Sequence, residues 1–170
     1  MTLPICDICA QSGVLCDACE KKLERKEISD MDVKIAKIVH ELNEEADKDE
    51  KIGFDRAIDT GGVVLILTKK SDVGRFIGKG GKNLRTISKK LKKKADSVRI
   101  VGFGDLSEIL YDLTHPAKVL GVSKVYKTDG DTVRRVRIDK RDEGELKISV
   151  DTIEGVISSL SGEDVEVVFV

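Results

Sequence analysis

The sequence has 170 residues, of which 40% are hydrophobic and 36% charged, and its formal net charge is -1. This composition suits one or two small folded domains and argues against wholesale disorder. No apolar run approaches the roughly 20 residues that a membrane helix needs, and the N-terminus lacks the basic and apolar regions of a signal peptide. We therefore expect a soluble, cytoplasmic protein without a membrane segment.

All four cysteines lie within the first 20 residues, in two C-x-x-C pairs: Cys6 with Cys9, and Cys16 with Cys19. Such pairs bring four thiolates within reach of one tetrahedral ion, and Ser12-Gly13 predicts the turn between them. We expect residues 1–24 to form a small structural zinc module, and metal removal to unfold residues 1–20 alone. Iron or an iron–sulfur cluster and free or redox-active thiols are the alternatives, whereas a cytoplasmic location disfavours disulfides.

The next 75 residues, 29 to 103, predict an α-β-β-α-α-β order. The first helix has its apolar face between Met31 and Leu42, with Ser29 or Asp30 as its cap. Two strands follow, at Phe54–Thr60 and Gly62–Lys70. The sequence then predicts a short helix at Val73–Ile77, capped by Asp72, and a second helix with Leu84, Ile87 and Leu91 inward. A final strand is predicted at Ser97–Phe103. Gly61-Gly62 predicts the turn between the two strands, and Ala95-Asp96 the end of the second helix.

Positive charge is concentrated between Lys69 and Lys94, where eleven lysines and arginines accompany the single carboxylate of Asp72. The segment therefore carries +10 and the rest of the chain -11. Such segregation indicates a polyanionic partner, and an ordinary solvated helix face is the alternative.

Residues 77 to 85, IGKGGKNLR, place a glycine-rich step inside this basic segment. A nucleotide-binding P-loop is excluded, because no glycine stands five residues before Gly78 or Gly81 and Asn83 occupies the place of the Mg²⁺-binding hydroxyl. A dinucleotide loop is excluded as well, because the step follows a predicted helix and not a strand.

A G-x-x-G turn between two helices of an α-β-β-α-α-β unit resembles the KH fold of the second topological type. The resemblance implies that the loop clamps about four nucleotides of single-stranded RNA. It assigns RNA contacts to Arg75, Ile77, Gly78, Lys79, Gly80, Gly81, Lys82, Asn83 and Arg85. A helix–helix turn that needs glycines for geometry alone is the alternative.

From residue 105 onward the pattern partly repeats. The sequence predicts a helix at Leu106–Leu113, then strands at Lys118–Tyr126 and Thr132–Asp139 around a Thr128-Asp129-Gly130 turn. It then predicts a helix capped by Asp151 and ended by Gly162, and a last strand, DVEVVFV. No glycine lies between Glu145 and Glu154, and ELKISV alternates like a strand. We therefore expect this copy to lack the loop. Its Arg134, Arg135 and Arg137 could extend an RNA track or form a solvated strand edge.

The first unit, followed by a helix and the stretch DLTHPAKVLGV, resembles the paired KH domains of the NusA family of transcription elongation and termination factors. The resemblance implies an α+β protein with a type II KH domain at 29–104 and a degenerate KH-like domain at 105–170, behind the zinc module. It implies a non-catalytic protein that binds single-stranded RNA in transcription, and no catalytic constellation stands out in the sequence. The alternative is an adaptor that docks RNA polymerase or the ribosome through the zinc module and the second unit.

Overall fold

The structure, a computed structural model, describes residues 2–59, 63–94, 97–103 and 106–170, without the side chains of Phe103 and Ser159. The chain has a mixed α+β architecture, as predicted, and forms two compact units, Met1–Phe103 (unit 1) and Gly104–Val170 (unit 2). Each unit contains its own three-stranded sheet. The turn predicted at Gly61-Gly62 and the helix end predicted at Ala95-Asp96 lie outside the described residues. Within the described residues, no helix has the length and apolar character that crossing a membrane requires.

Unit 1 begins with two short helices that precede an α-β-β-α-α-β series. The elements are α1 (Asp7–Ser12), α2 (Asp17–Glu24), α3 (Asp30–Glu45), β1 (Arg56–Asp59), β2 (Val64–Lys69), α4 (Val73–Ile77), α5 (Lys82–Lys90) and β3 (Val98–Phe103). The strand order is β1-β2-β3, with β1 antiparallel and β3 parallel to β2. The connection between the parallel strands therefore contains α4 and α5.

The start of α3 is fixed by a capping box. Ser29 Oγ accepts a hydrogen bond from the Asp32 amide at 3.2 Å, and Asp32 Oδ2 accepts one from the Ser29 amide at 2.8 Å. The other carboxylate oxygen of Asp32 accepts the Ala57 amide at 2.6 Å. One buried side chain thus begins the helix and also bonds the outer edge of β1.

The core of unit 1 lies around β2, whose residues Val64–Leu67 are all fully buried. Phe54 and Phe76 meet in it edge to face, with ring centroids 6.3 Å apart. The cysteine segment belongs to the same core, because Ile5, Cys9, Ala10 and Cys19 cluster with the apolar side chains of α3 and β2. The backbone joins them too, since Thr2 O accepts the Phe54 amide at 3.1 Å. Residues 1–24 therefore pack as part of unit 1.

Unit 2 repeats the sheet of unit 1 with a different connection. Its elements are α6 (Leu106–Thr114), β4 (Val119–Tyr126), β5 (Thr132–Ile138), a 3₁₀ segment (Lys140–Glu145), α7 (Val150–Ser161) and β6 (Asp164–Phe169). The order is β4-β5-β6, again with one antiparallel and one parallel pair. A single α-helix, α7, replaces the pair α4 and α5.

Two local expectations for unit 2 were wrong. The alternating segment ELKISV is not a strand: it buries Ile148 and half-buries Leu146 and Val150 without joining a β-ladder. Alternating apolar and polar residues indicate that one side of a segment is buried, and a segment can be buried in this way without pairing with a neighbouring strand. The cap of α7 is Ser149, whose Oγ accepts the Thr152 amide at 3.3 Å, and not Asp151. Gly162 ends the helix with φ 70°, as predicted.

Candidate nucleic-acid interface and metal centre

The glycine step forms a tight turn between α4 and α5. Gly78 adopts φ 79° and ψ 168°, and Gly80 and Gly81 adopt φ 63° and 77°. L-residues rarely adopt these conformations, so the turn depends on glycine. The Gly81 amide donates to Gly78 O at 3.0 Å and closes the turn.

Asn83 supports the turn from within. Its Nδ2 donates to Arg75 O, 3.0 Å away on α4, and a Cβ at Gly78 would lie only 2.8 Å from Asn83 Cγ. The sequence grouped Asn83 with the RNA contacts; the structure places its amide where it joins the two helices. A lone asparagine in a glycine turn gives no sequence signal that separates these roles.

The opposite side of the turn is open. A Cβ added at Gly80 or Gly81 would meet no atom within 4 Å, and Lys79 and Lys82 beside them are exposed. Gly81 precedes α5 and carries no side chain that could cap its first amides. Amides at a helix start and adjacent lysines together attract an anion.

The turn is anchored by apolar residues on either side. Phe76 is fully buried against Phe54, whereas Ile77 is half-buried at the end of α4. Ile87 on α5 is also fully buried. The turn is therefore held between two helices whose apolar residues are packed in the core of unit 1.

Eight of the eleven cations of the basic segment fall into two groups. Three pair with carboxylates: Arg75 with Asp72 at 2.8 Å, Lys93 with Asp59 at 3.9 Å, and Lys90 with Glu41. Lys79, Lys82, Arg85, Lys89 and Lys92 are exposed and form no ion pair with any residue that the structure describes. Of the cations assigned to RNA from the sequence, Arg75 alone already has a carboxylate partner.

Two of the three arginines of β5 pair with carboxylates of unit 2. Arg134 and Lys124 both contact Glu163 at 2.7 Å, and Arg135 contacts Glu166 at 3.0 Å. Lys124 and Arg134 lower the pKa of Glu163, which keeps it ionised. Arg137 is exposed, with its guanidinium beside Gly121.

The four cysteines meet as predicted: their Sγ atoms lie within 4.8 Å of one another. Cys6 and Cys16 directly precede α1 and α2, and the second cysteine of each pair lies in the following helix, where it is buried. A tetrahedron of thiolates about 2.3 Å from a metal ion has S–S edges of about 3.8 Å. The cluster is thus compact enough to hold a metal ion.

The thiols of the cluster differ in acidity. The Cys16 amide, which donates to Cys9 Sγ at 3.1 Å, lowers the pKa of Cys9, but burial and the neighbouring thiols raise it to about 12. The Cys19 amide and the Cys9 thiol lower the pKa of Cys16 to about 7. Cys16 is therefore the thiol that ionises more readily of these two.

No protein-family model matches the chain. A solved structure described as "Crystal structure of APE1850" is similar to it, with a TM-score of 0.55 and 20% sequence identity. The similarity covers 78% of this chain and 93% of that one. At this identity it shows a shared fold and nothing about function.

Proposed function

We propose that the protein binds single-stranded RNA without catalysing a reaction, through the glycine turn of unit 1 acting as a type II KH loop. The observation that carries the proposal is the open outer side of Gly80 and Gly81 at the start of α5, flanked by unpaired lysines. The α-β-β-α-α-β order and the antiparallel–parallel sheet support the KH assignment.

In this mechanism the sugar-phosphate chain approaches the glycine backbone, which has no side chain to exclude it. Lys79, Lys82 and Arg85 neutralise phosphates, and the half-buried Ile77 lies beneath the bases. Arg75 contributes less, because Asp72 already holds it. The chain has four Phe, two Tyr and no Trp, so bases are recognised by edge contacts and shape more than by ring stacking.

The metal centre is proposed to be a structural Zn²⁺ site with Cys6, Cys9, Cys16 and Cys19 as its ligands. Four thiolates complete a tetrahedral shell, which leaves no position for substrate, and soft sulfur ligands select zinc or iron over Mg²⁺ or Ca²⁺.

The NusA-like motifs support a role in transcription elongation or termination. A second candidate, a protein adaptor that docks RNA polymerase or the ribosome, is favoured by one feature of unit 2. Its β4 exposes Leu120, Val122 and Tyr126 at alternating positions, while the cations Lys124, Arg134 and Arg135 pair with carboxylates. Such a surface fits a protein better than a phosphate chain.

The test is the double substitution Lys79→Asp with Gly80→Asp, measured by fluorescence anisotropy with a randomised 12-nucleotide RNA pool. Two carboxylates at the phosphate position should reduce affinity by about 100-fold or more and flatten the dependence of log affinity on log salt. A helix N-terminus tolerates acidic side chains, so the fold should survive.

The matched control is Lys127→Asp with Gly130→Asp in the β4–β5 turn, which makes the same change of charge. Gly130 has φ 92° and, like Gly80, no atom within 4 Å of an added Cβ, so both variants carry similar backbone strain. The control should keep its affinity. Parent-like binding by the loop variant, or equal losses in both variants, would show that the glycine turn is not the RNA site.

A further inference from the structure

Four cations form a row along one side of α5. Lys82, Arg85 and Lys89 recur every three or four residues, so they lie above one another on the helix, and Lys92 follows in the turn that ends it. At 1.5 Å per residue, Lys89 lies about 10 Å along the helix axis from Lys82, beside the glycine turn, and Lys92 lies beyond it. We call these four residues the α5 row.

The α5 row differs from its neighbours Lys90 and Lys93 in having no carboxylate partner among the residues that the structure describes. Lys90 and Lys93 lie in the same segment, yet they pair with Glu41 and Asp59. All four members of the row are exposed, and within the described residues none forms an ion pair. Four adjacent uncompensated charges repel one another unless a polyanion covers them.

Lys92 occupies a position where glycine is usual. The Lys93 amide donates to Ser88 O at 2.9 Å and the Lys92 amide to Lys89 O at 3.1 Å, which is a Schellman end with Lys92 at φ 56°. A lysine is strained there, although the helix dipole favours its charge. Lys26, at φ 58° after α2, has the same backbone conformation and the same pair of hydrogen bonds at the helix end.

We propose that the α5 row extends the phosphate-binding surface of the glycine turn, to which Lys82 and Arg85 already belong, so that Lys89 and Lys92 lead the RNA strand further along α5. The inference rests on the proposed function and extends it: the footprint exceeds the roughly four nucleotides that a KH loop clamps. A polyanion fits better than a protein surface, because the apolar residues of α5, Leu84 and Ile87, are half-buried and buried, so the row has no apolar centre.

One matched pair of variants tests the site by position on α5. Lys89→Gln removes a member of the row, and Lys90→Gln removes an equal charge one residue further along, at the residue paired with Glu41. For a randomised 12-nucleotide RNA pool, Lys89→Gln should make the negative slope of log affinity against log salt shallower by about 0.7. Lys90→Gln should change it little. With a randomised 6-nucleotide pool both variants should resemble the parent, because the strand ends near the turn.

A second pair separates binding from stability. Lys92→Gly and Lys26→Gly each replace a strained lysine with the residue that this backbone favours, so both should raise the melting temperature. Lys92→Gly alone should weaken binding of the 12-nucleotide pool, several-fold at low salt. A lower affinity in a more stable protein cannot result from misfolding.

The outcomes distinguish this inference from the proposed function. A parent protein that binds neither pool overturns the proposed function, and this inference with it. A parent that binds both pools while Lys89→Gln and Lys92→Gly behave like their controls overturns the α5 row alone. Displacement of the 12-nucleotide RNA by polyglutamate at equal charge would assign the row to an acidic protein segment and overturn the RNA track.

Discussion

The two units contain the same sheet but expose their positive charge differently. In each, an antiparallel pair is extended by a parallel strand, and the connection before that strand carries helix. In unit 1 this connection contains the glycine turn and the unpaired α5 row. In unit 2 it contains one α-helix, and three cations of the sheet, Lys124, Arg134 and Arg135, pair with Glu163 and Glu166. Arg137 of the same sheet is exposed.

The difference teaches that location in the fold decides which cations can bind a phosphate. Arg135 lies on the central strand directly opposite Glu166 of β6, and such cross-strand neighbours pair readily. The α5 row is exposed along α5 and the turn that ends it, and within the described residues no carboxylate faces it in an ion pair. Counting arginines and lysines therefore predicts total charge, and the fold determines how much of it is available.

The largest expected effect is that of metal removal, which should separate the stability of unit 1 from that of unit 2. A strong chelator should destabilise unit 1 by more than about 3 kcal/mol, because two of the four ligands, Cys9 and Cys19, are buried in its core and would lose their metal partner there. Unit 2 contains no cysteine and should be unaffected. Hydrogen exchange followed by mass spectrometry can report the two units separately.

This expectation differs from the one drawn from the sequence, which confined the unfolding to residues 1–20. Faster exchange confined to those residues, with α3 still protected, would restore the view of an independent module. Cys6→Ser and Cys9→Ser provide a graded version: both remove one ligand, but only the second disturbs a buried position.

A smaller effect is expected at the turn that unit 2 lacks. Gly78→Ala should cost about 2–4 kcal/mol in the free energy of unfolding, because its Cβ would lie 2.8 Å from Asn83 Cγ and the backbone conformation opposes it. Gly80→Ala should cost about 1 kcal/mol, because its backbone conformation is strained for alanine but no atom lies within 4 Å of the added Cβ. Urea denaturation of both variants checks the difference. Equal costs would mean that Asn83 moves aside without loss.

The smallest expected effect comes from removing the carboxylates that pair with cations of unit 2, which would make the two units more alike in exposed positive charge. Glu163→Gln with Glu166→Gln leaves Lys124, Arg134 and Arg135 without their carboxylates. Affinity for RNA at low salt should rise about twofold. Glu143→Gln with Glu145→Gln removes the same charge from exposed residues that form no ion pair within the described chain, and should change affinity less. Equal gains would show that net charge alone is responsible.

Local patterns in the sequence predicted most elements of both units. The Ser29 cap, the apolar run of β2 and the helix end at Gly162 depend on neighbouring residues, and a sequence displays those directly. The cap of α7 was misassigned because Ser149 and Asp151 are both good caps two residues apart, and only the backbone separates them.

The remaining features depend on residues that are distant in the sequence. Spacing identified the four cysteines as one cluster, but it gives no sign that Cys9 and Cys19 also pack in the core with α3. The pairing of Arg134 with Glu163 joins β5 to the residue just before β6, across 29 residues of chain. The α5 row could be drawn on a helical wheel, but the partners that neutralise Lys90 and Lys93 come from other elements.

The parallel pairing of β2 and β3 also sets the order of events during synthesis. Val64 is opposite Val98, so the strand that completes the sheet of unit 1 leaves the ribosome 34 residues after its partner. Until then α4, the glycine turn and α5 have no finished sheet to pack against. Because β3 ends at Phe103 and unit 2 begins at the next residue, unit 1 can finish folding while unit 2 is still being translated. The nascent chain would then expose its basic surface before unit 2 is complete.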